Sequence, residues 1–334
     1  MNPIFHDDDL LRPPAVEKLI NHALRERSPL SLVRMGDGEG MALGQRDPFD
    51  PQFAKMRLNH FGPACSAERA GEIAAALEEA FAAASIVGLR PEAAILRLAP
   101  EDFALASPDF MAKYRAAFAV RDRPFPGYKS NLNYNAAFRL SQMAHQFVRI
   151  APRLSGRPTL AWIHLKLLMS GALARLVRDA PALGLVTCRG DVAATIAAFR
   201  AAAVPPGPTR IVDIPDIYAK AAAAGADPAD WLAAMERVPA RIGSVSPGEV
   251  WLVGAGVLGK LACHHVAERG GIALDIGSAF DVWGGVMSRP GIMPLYFMGM
   301  DGERGEVPPA LLIGAQLAAL GSCASAHSCD TAAE

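Results

Sequence analysis

Residues 250–275 have the sequence VWLVGAGVLGKLACHHVAERGGIALD. An apolar run is followed by three glycines in the pattern GxGxxG, then by a segment with helical spacing and by a second apolar run that ends at Asp275. A strand, a glycine turn, a helix and a second strand form the repeating unit of parallel α/β proteins. The stretch therefore predicts a parallel sheet with a helix packed against it.

The same alternation extends through most of the chain and predicts a Rossmann-like α/β fold, a mostly parallel sheet with helices on both faces. Seven segments have the apolar character of buried strands. They are residues 30–35, 85–90, 159–163, 183–187, 209–214, 249–253 and 272–275. We expect one domain over residues 1–320, whereas residues 321–334 are small and polar and predict a disordered tail.

The bulk composition excludes several classes of protein. The 334 residues are 51% hydrophobic, enough for a sizeable core, and the formal net charge of −1 comes from scattered charges. The sequence has no basic patch of the kind that would indicate a nucleic-acid partner. No apolar run is long enough to cross a membrane. The start of the sequence is acidic, whereas a signal peptide would begin with basic residues, so we expect a cytoplasmic protein.

Residues 31–40, SLVRMGDGEG, place two carboxylates after a predicted strand. In an extended segment, side chains two positions apart point to the same side, so Asp37 and Glu39 are expected to converge on a divalent metal. Gly36 and Gly38 would let a ligand approach closely, and Arg34 could bind a phosphate. The alternative is an acidic surface turn, because turns favour Asp and Gly.

Other polar side chains follow the remaining predicted strands, where ligands of parallel sheets bind. They are Arg90, Cys188, Arg189, Asp191, Asp213, Asp216, Asp275 and Asp281. Several acids and arginines at one edge of a sheet would suit a diphosphate. Arg189 and Asp191 could instead form a local ion pair in which Asp191 caps the next helix.

Four further points stay open on the sequence. His164 could be a base or a hydrogen-bonded buried histidine. Asp275 and Asp281 could be catalytic or could be a helix cap and a surface acid. The asparagine-rich loop could bind sugar hydroxyls or could follow turn preferences. Its polar residues are Tyr128, Lys129, Asn131, Asn133 and Asn135.

The fourth open point is a dinucleotide-binding fingerprint. Its GxGxxG pattern is formed by Gly254, Gly256 and Gly259. An acid, Asp275, follows at the spacing of about 20 residues that is expected for NAD binding. However, a full Rossmann domain needs further βα units, and residues 276–334 leave little room for them. The glycines could equally present amides to the phosphate of another nucleotide.

Two segments resemble the GT-D type glycosyltransferases, formerly a domain of unknown function. They are RMGDGE, residues 34–39, and WLVGAGVLGKLACHHVAERGGIALDIGSAFDVWGG, residues 251–285. The segment LGLVTCRGD is more loosely similar, and the resemblance spans about residues 28–290.

The resemblance implies a Rossmann-like fold, a nucleotide-sugar donor such as a UDP-hexose, and a divalent metal, Mn²⁺ or Mg²⁺, bound through a DXE motif. Asp37 and Glu39 occupy the DXE positions, and Arg34, Gly36 and Gly38 match the surrounding pattern. The acceptor would be a glycan or glycoconjugate.

We therefore expect a metal-dependent glycosyltransferase whose donor site includes Arg34, Gly36, Gly38, Arg189, Gly254 and Gly256. An inverting enzyme would also need a general base, for which Asp275, Asp281 and His164 are candidates. The competing hypotheses are an NAD(P)- or S-adenosylmethionine-dependent enzyme and a non-catalytic nucleotide-sugar-binding module.

Overall fold

The computed structural model describes residues 9–46, 48, 51–90, 134–216, 229–288, 297, 300 and 306–327. The predicted sugar-binding residues Tyr128, Lys129, Asn131 and Asn133 lie outside this range, as does the side chain of Asn135. Their role stays a prediction.

The described part of the chain contains one sheet of seven strands, in the order β3-β2-β1-β7-β6-β4-β5. The strands are β1 (Leu30–Met35), β2 (Ile86–Leu89), β3 (Arg157–Leu160), β4 (Leu183–Thr187), β5 (Thr209–Asp213), β6 (Val250–Val253) and β7 (Ile272–Asp275). Every pairing between neighbouring strands is parallel. The predicted fold class is confirmed.

Helices connect the strands and cover the sheet. They are α1 (Pro13–Glu26), α2 (Asp37–Leu43), α3 (Pro51–Phe61), α4 (Ala67–Ala83), α5 (Tyr134–Ile150), α6 (Ile163–Met169), α7 (Ala172–Asp179), α8 (Gly190–Ala202), α9 (Ala229–Glu236), α10 (Val238–Ile242), α11 (Gly259–Glu268), α12 (Ala279–Trp283) and α13 (Ile313–His327).

The sheet is buried on both faces because successive strand residues point to opposite sides and both sides carry apolar residues. Leu32 of β1 packs in a cluster with Val16 of α1, whereas its neighbour Val33 packs in a separate cluster with Leu77 of α4 and Val266 of α11. The strands therefore lack the alternation of apolar and polar residues that marks a half-exposed sheet.

Three sequence predictions differ from the structure. β3 ends at Leu160 rather than Ile163, because Ile163 already begins α6. The segment between the third and fourth predicted strands, for which the sequence predicts one helix to about Val177, forms two helices separated by Gly171, whose φ of +71° is left-handed. Helix α13 continues to His327, into the segment predicted as a disordered tail.

The glycine-rich bend after β1 is a helix, and its glycines serve helix packing. A Cβ on Gly40 would lie 2.3 Å from the Cα of Met143 in α5, and one on Gly44 would lie 2.3 Å from the ring of Phe53. Helix α2 can therefore pack closely against α5 and α3 only without side chains at these positions.

Replacing Gly40 by alanine tests this packing. We expect G40A to lower the free energy of unfolding by about 1–3 kcal/mol, because α2 and α5 must separate to admit the methyl group. G314A is the matched control, since a Cβ on that helical glycine meets nothing within 4 Å. Urea denaturation of both variants checks the prediction, and a G40A protein as stable as G314A would contradict it.

Candidate functional site

The candidate site lies where β1 and β7 end, side by side in the middle of the sheet. From β1 the chain steps outward through β2 and β3 to one edge, whereas β7, β6, β4 and β5 occupy the other side. The reversal between β1 and β7 is the topological switch point at which open α/β sheets bind ligands. Arg34 of β1 and Asp275 of β7 lie at this point.

Arg34 and Asp275 form an ion pair across the two strands. The guanidinium Nη2 lies 3.0 Å from Asp275 Oδ1, and Nε donates a hydrogen bond to the Asp275 carbonyl at 3.0 Å. Asp275 is buried, with its side chain 1% exposed. The pair links the RMGDGE motif to the LDIG segment.

His164 lies behind Arg34 and is completely buried. Its ring nitrogen Nδ1 is 3.0 Å from Arg34 Nη1, and Nε2 is 3.1 Å from the hydroxyl of Ser278. Burial, together with the nearby Arg34, lowers the pKa of His164 well below its ordinary value, so the ring is neutral. In this position the imidazole supports Arg34 and is shielded from solvent.

Lys260 is one of the residues of the site that were not predicted from the sequence. Its ammonium forms ion pairs with Glu39 and with Asp275 Oδ2, the latter at 3.0 Å, and donates a hydrogen bond to the Gly256 carbonyl at 2.9 Å. The available signal was a lysine one turn before Cys263 on the buried side of α11.

Asp37 and Glu39 do not point the same way, so the expected extended geometry is wrong. Both lie in the first turn of α2, where residues two apart are separated by about 200° around the axis. Glu39 points inward and accepts a hydrogen bond from the Gly36 amide at 2.8 Å. Asp37 has a side chain that is 37% exposed.

Two arginines flank Asp37. Arg90, after β2, lies 3.3 Å from Oδ1, and Arg139 of α5 lies 3.7 Å from Oδ2. Burial raises the pKa of Asp37, but the two arginines and a backbone hydrogen bond outweigh it and lower the pKa. Asp37 is therefore a carboxylate. Arg139 was not predicted, because nothing in the pattern of α5 relates it to β1.

His60 of α3 lies beside Gly38 of the RMGDGE motif. A Cβ on Gly38 would be 3.3 Å from the His60 ring and 3.3 Å from Val257 of the glycine turn. Burial lowers the pKa of His60 despite the nearby acids Glu39 and Asp37. This histidine was not predicted from the sequence either. The proximity of Gly38 to Val257 brings RMGDGE against GAGVLG.

The three glycines of the turn have different functions. A Cβ on Gly254 would lie 2.5 Å from the Phe280 ring, and one on Gly259 would lie 3.1 Å from Val253. Gly256 has a left-handed φ of +56° and open space where a Cβ would be. Only Gly256 is thus required by backbone conformation, as the start of a 3₁₀ turn that leads into α11.

Arg189 lies in a second cluster of charges, after β4. Its Nη2 is 2.7 Å from Asp281 Oδ1, and its Nη1 is 3.4 Å from Asp216 Oδ2. The hydroxyl of Ser288 donates a hydrogen bond to Asp281 Oδ2 at 2.5 Å. Arg189 thus pairs with acids distant in sequence, and Asp191 lies in the first turn of α8.

The protonation states of Asp275 and Lys260 are set by the charges of their partners. Burial raises the pKa of Asp275, but Arg34 and Lys260 outweigh it and hold the pKa at about 2. Burial lowers the pKa of Lys260, but Asp275 and Glu39 raise it more. Asp275 is therefore a carboxylate and Lys260 an ammonium at neutral pH.

The described residues do not form a metal cage. Within ranges 9–90 and 134–327, with the gaps noted above, no three His, Cys, Asp or Glu side chains are grouped so that they could hold a metal ion. Asp37 is the acid of RMGDGE whose carboxylate is most exposed, and both oxygens of Glu39 already have partners.

Acid titration tests the ion pair of Asp275. A carboxyl whose pKa falls from 3.8 to about 2 on folding stabilises the protein above 3.8, and this contribution is lost as pH falls towards 2. From pH 7 down to about 4, close to the ordinary pKa of 3.8, we expect D275N to be less stable than the original protein. The difference in the free energy of unfolding should narrow at lower pH. Urea denaturation at each pH measures this difference.

The control for this titration is D179N, because Asp179 forms an ion pair at the surface with its neighbour Arg178. Surface pairs contribute little, so D179N should follow the original protein. A D275N protein whose deficit is the same at every pH would contradict the ionised pair.

No helix in the described part of the chain is both long and apolar enough to span a membrane.

Comparison with known proteins identifies a family for this chain. No curated protein and no solved structure matches the sequence significantly. The profile of the GT-D fold-like domain matches residues 11–283, which include all seven strands and the switch point. The chain therefore belongs to the GT-D-like family, whose fold is glycosyltransferase-like.

Proposed function

We propose that the chain is a glycosyltransferase that transfers a hexose from a nucleotide sugar, such as a UDP-hexose, to a glycan or glycoconjugate. The family supports the reaction class. The observation that carries the proposal is the position of Asp37, Arg90 and Arg139 together at the start of α2, beside the switch point. This arrangement has the charges that a diphosphate requires.

The two arginines would bind the diphosphate of the donor. Breaking the bond between the anomeric carbon and the phosphate leaves negative charge on the departing nucleotide, and a guanidinium can stabilise this charge as it develops. Both arginines contact Asp37, so phosphate oxygens would take the place of the carboxylate oxygens. Arg34 lies behind them, paired with Asp275, and would act on the shape of the site rather than on the phosphate.

A divalent metal, Mn²⁺ or Mg²⁺, fits this site through Asp37. Such ions are commonly held by one or two carboxylates together with substrate phosphates, so Asp37 and a diphosphate would suffice. The metal would supply a further positive charge to the leaving diphosphate. Glu39 does not fit as a second ligand, because both of its oxygens are occupied.

The three candidate bases differ in exposure. His164 and Asp275 are buried behind Arg34, whereas the side chain of Asp281 is 15% exposed. In an inverting reaction the acceptor hydroxyl must reach the base, so we assign this function to Asp281, the acceptor hydroxyl taking the place of the Ser288 hydroxyl that now donates to Oδ2. Arg189, its partner, would orient the carboxylate.

The dinucleotide hypothesis loses support. In that fingerprint the acid binds a ribose hydroxyl. Asp275 instead pairs with Arg34 and Lys260, and the space beside Gly254 is filled by Phe280.

A test of the arginines uses binding of UDP measured by calorimetry. We expect R90A and R139A each to weaken binding about tenfold, because each removes a charged hydrogen bond to phosphate. R25A is the control, since Arg25 is exposed on α1, near the start of β1 and so at the opposite edge of the sheet. UDP binding by R90A/R139A as tight as by R25A would contradict the proposed phosphate site.

A ligand panel tests the reaction class. We expect UDP with Mn²⁺ to raise the melting temperature, whereas NAD and S-adenosylmethionine should leave it unchanged, because only a ligand that binds the native state stabilises it. Hydrolysis of UDP-hexose without acceptor would then separate an enzyme from a non-catalytic module. Stabilisation by NAD or S-adenosylmethionine alone would reverse the assignment, and equal UDP affinity with EDTA would remove the metal.

A further inference from the structure

The two acids of the DXE motif have separate functions in this chain. We propose that Glu39 is a positioning residue that binds Lys260, and that Asp37 alone of the two can serve a metal. The part of this inference that concerns the metal rests on the proposed function. The pairing of Glu39 with Lys260 does not.

Both carboxylate oxygens of Glu39 already have partners. Oε2 accepts the hydrogen bond of the Gly36 amide at 2.8 Å, and Oε1 forms the ion pair with Lys260. Its side chain is 12% exposed, against 37% for Asp37. To bind a metal, Glu39 would have to leave both partners.

The charges of the cluster around Asp275 balance one another. The cluster comprises two cations, Arg34 and Lys260, and two carboxylates, Glu39 and Asp275. If Glu39 turned to a metal, Lys260 would keep one carboxylate of two, in an environment where an unpaired charge is costly. The metal would also bring positive charge next to the ammonium.

Lys260 connects segments that are distant in sequence. Through Lys260, three parts of the chain meet: the first turn of α2 at Glu39, the glycine turn at the Gly256 carbonyl, and the end of β7 at Asp275. The cap on Gly36 sets where α2 begins, and hence where Asp37 stands. Glu39 and Lys260 therefore orient Asp37 without touching a ligand.

A double-mutant cycle with two readouts tests this pairing. The variants are E39Q, K260M and E39Q/K260M, with D37N as the comparison. E39Q keeps an oxygen that can cap Gly36 but removes the charge. The readouts are the melting temperature and the affinity for Mn²⁺ in the presence of UDP, from the electron paramagnetic resonance of free Mn²⁺.

We expect E39Q and K260M each to lower the melting temperature by roughly 5–10 °C, because each leaves a buried charge with one partner fewer. The double variant should lose clearly less than the sum of the two. Strictly additive losses would overturn the pairing. If neither single variant folds, recovery of folded double variant supports the pairing, and its failure overturns it.

The affinity for Mn²⁺ separates the two acids. D37N should weaken it about tenfold or more with little change in melting temperature, whereas E39Q should stay within about threefold while folded. Equal losses of affinity in E39Q and D37N, without loss of stability in E39Q, would overturn the inference. If the original protein binds no Mn²⁺ with UDP, the proposed metal fails, and the stability cycle alone decides the function of Glu39.

Discussion

The buried ammonium of Lys260, held between the carboxylates of Glu39 and Asp275, is the interaction on which the site depends. A cation taken out of water is stable only where nearby groups balance its charge and accept its hydrogen bonds. Here Glu39 and Asp275 balance the charge, Glu39 and the Gly256 carbonyl accept hydrogen bonds, and each group comes from a different segment of the chain. The first turn of α2, the glycine turn and the end of β7 are therefore held in one arrangement.

Close packing supports this arrangement from outside. Gly40 and Gly44 let α2 pack against α5 and α3, while Gly254 makes room for Phe280. Glycine in these places removes a side chain that would collide with a neighbour, and no unusual backbone conformation is involved. Arg90 and Arg139 both lie beside Asp37, although Arg139 is about a hundred residues from it in sequence. The family match covers all seven strands of the sheet.

Sequence patterns predicted the sheet well and the site in part. All seven predicted strands occur in one parallel sheet, because continuous apolar runs between helical segments are the pattern of a sheet buried on both faces. The expected pairing of Asp37 with Glu39 in one direction is wrong, since their segment is a helix. A run rich in glycine favours a turn by local propensity, and close packing against Met143 overrides this preference.

The sequence by itself determined the class of the fold and the motifs that come together at the carboxyl edge of the sheet. Those features follow from the spacing of apolar residues and from the rule that polar residues after parallel strands share one edge. Only the tertiary structure decided which charges pair. Lys260, Arg139 and His60 carry no local pattern that relates them to Asp37 or Glu39. Their partners are set by the distance between segments remote in sequence, and by the need to balance each buried charge.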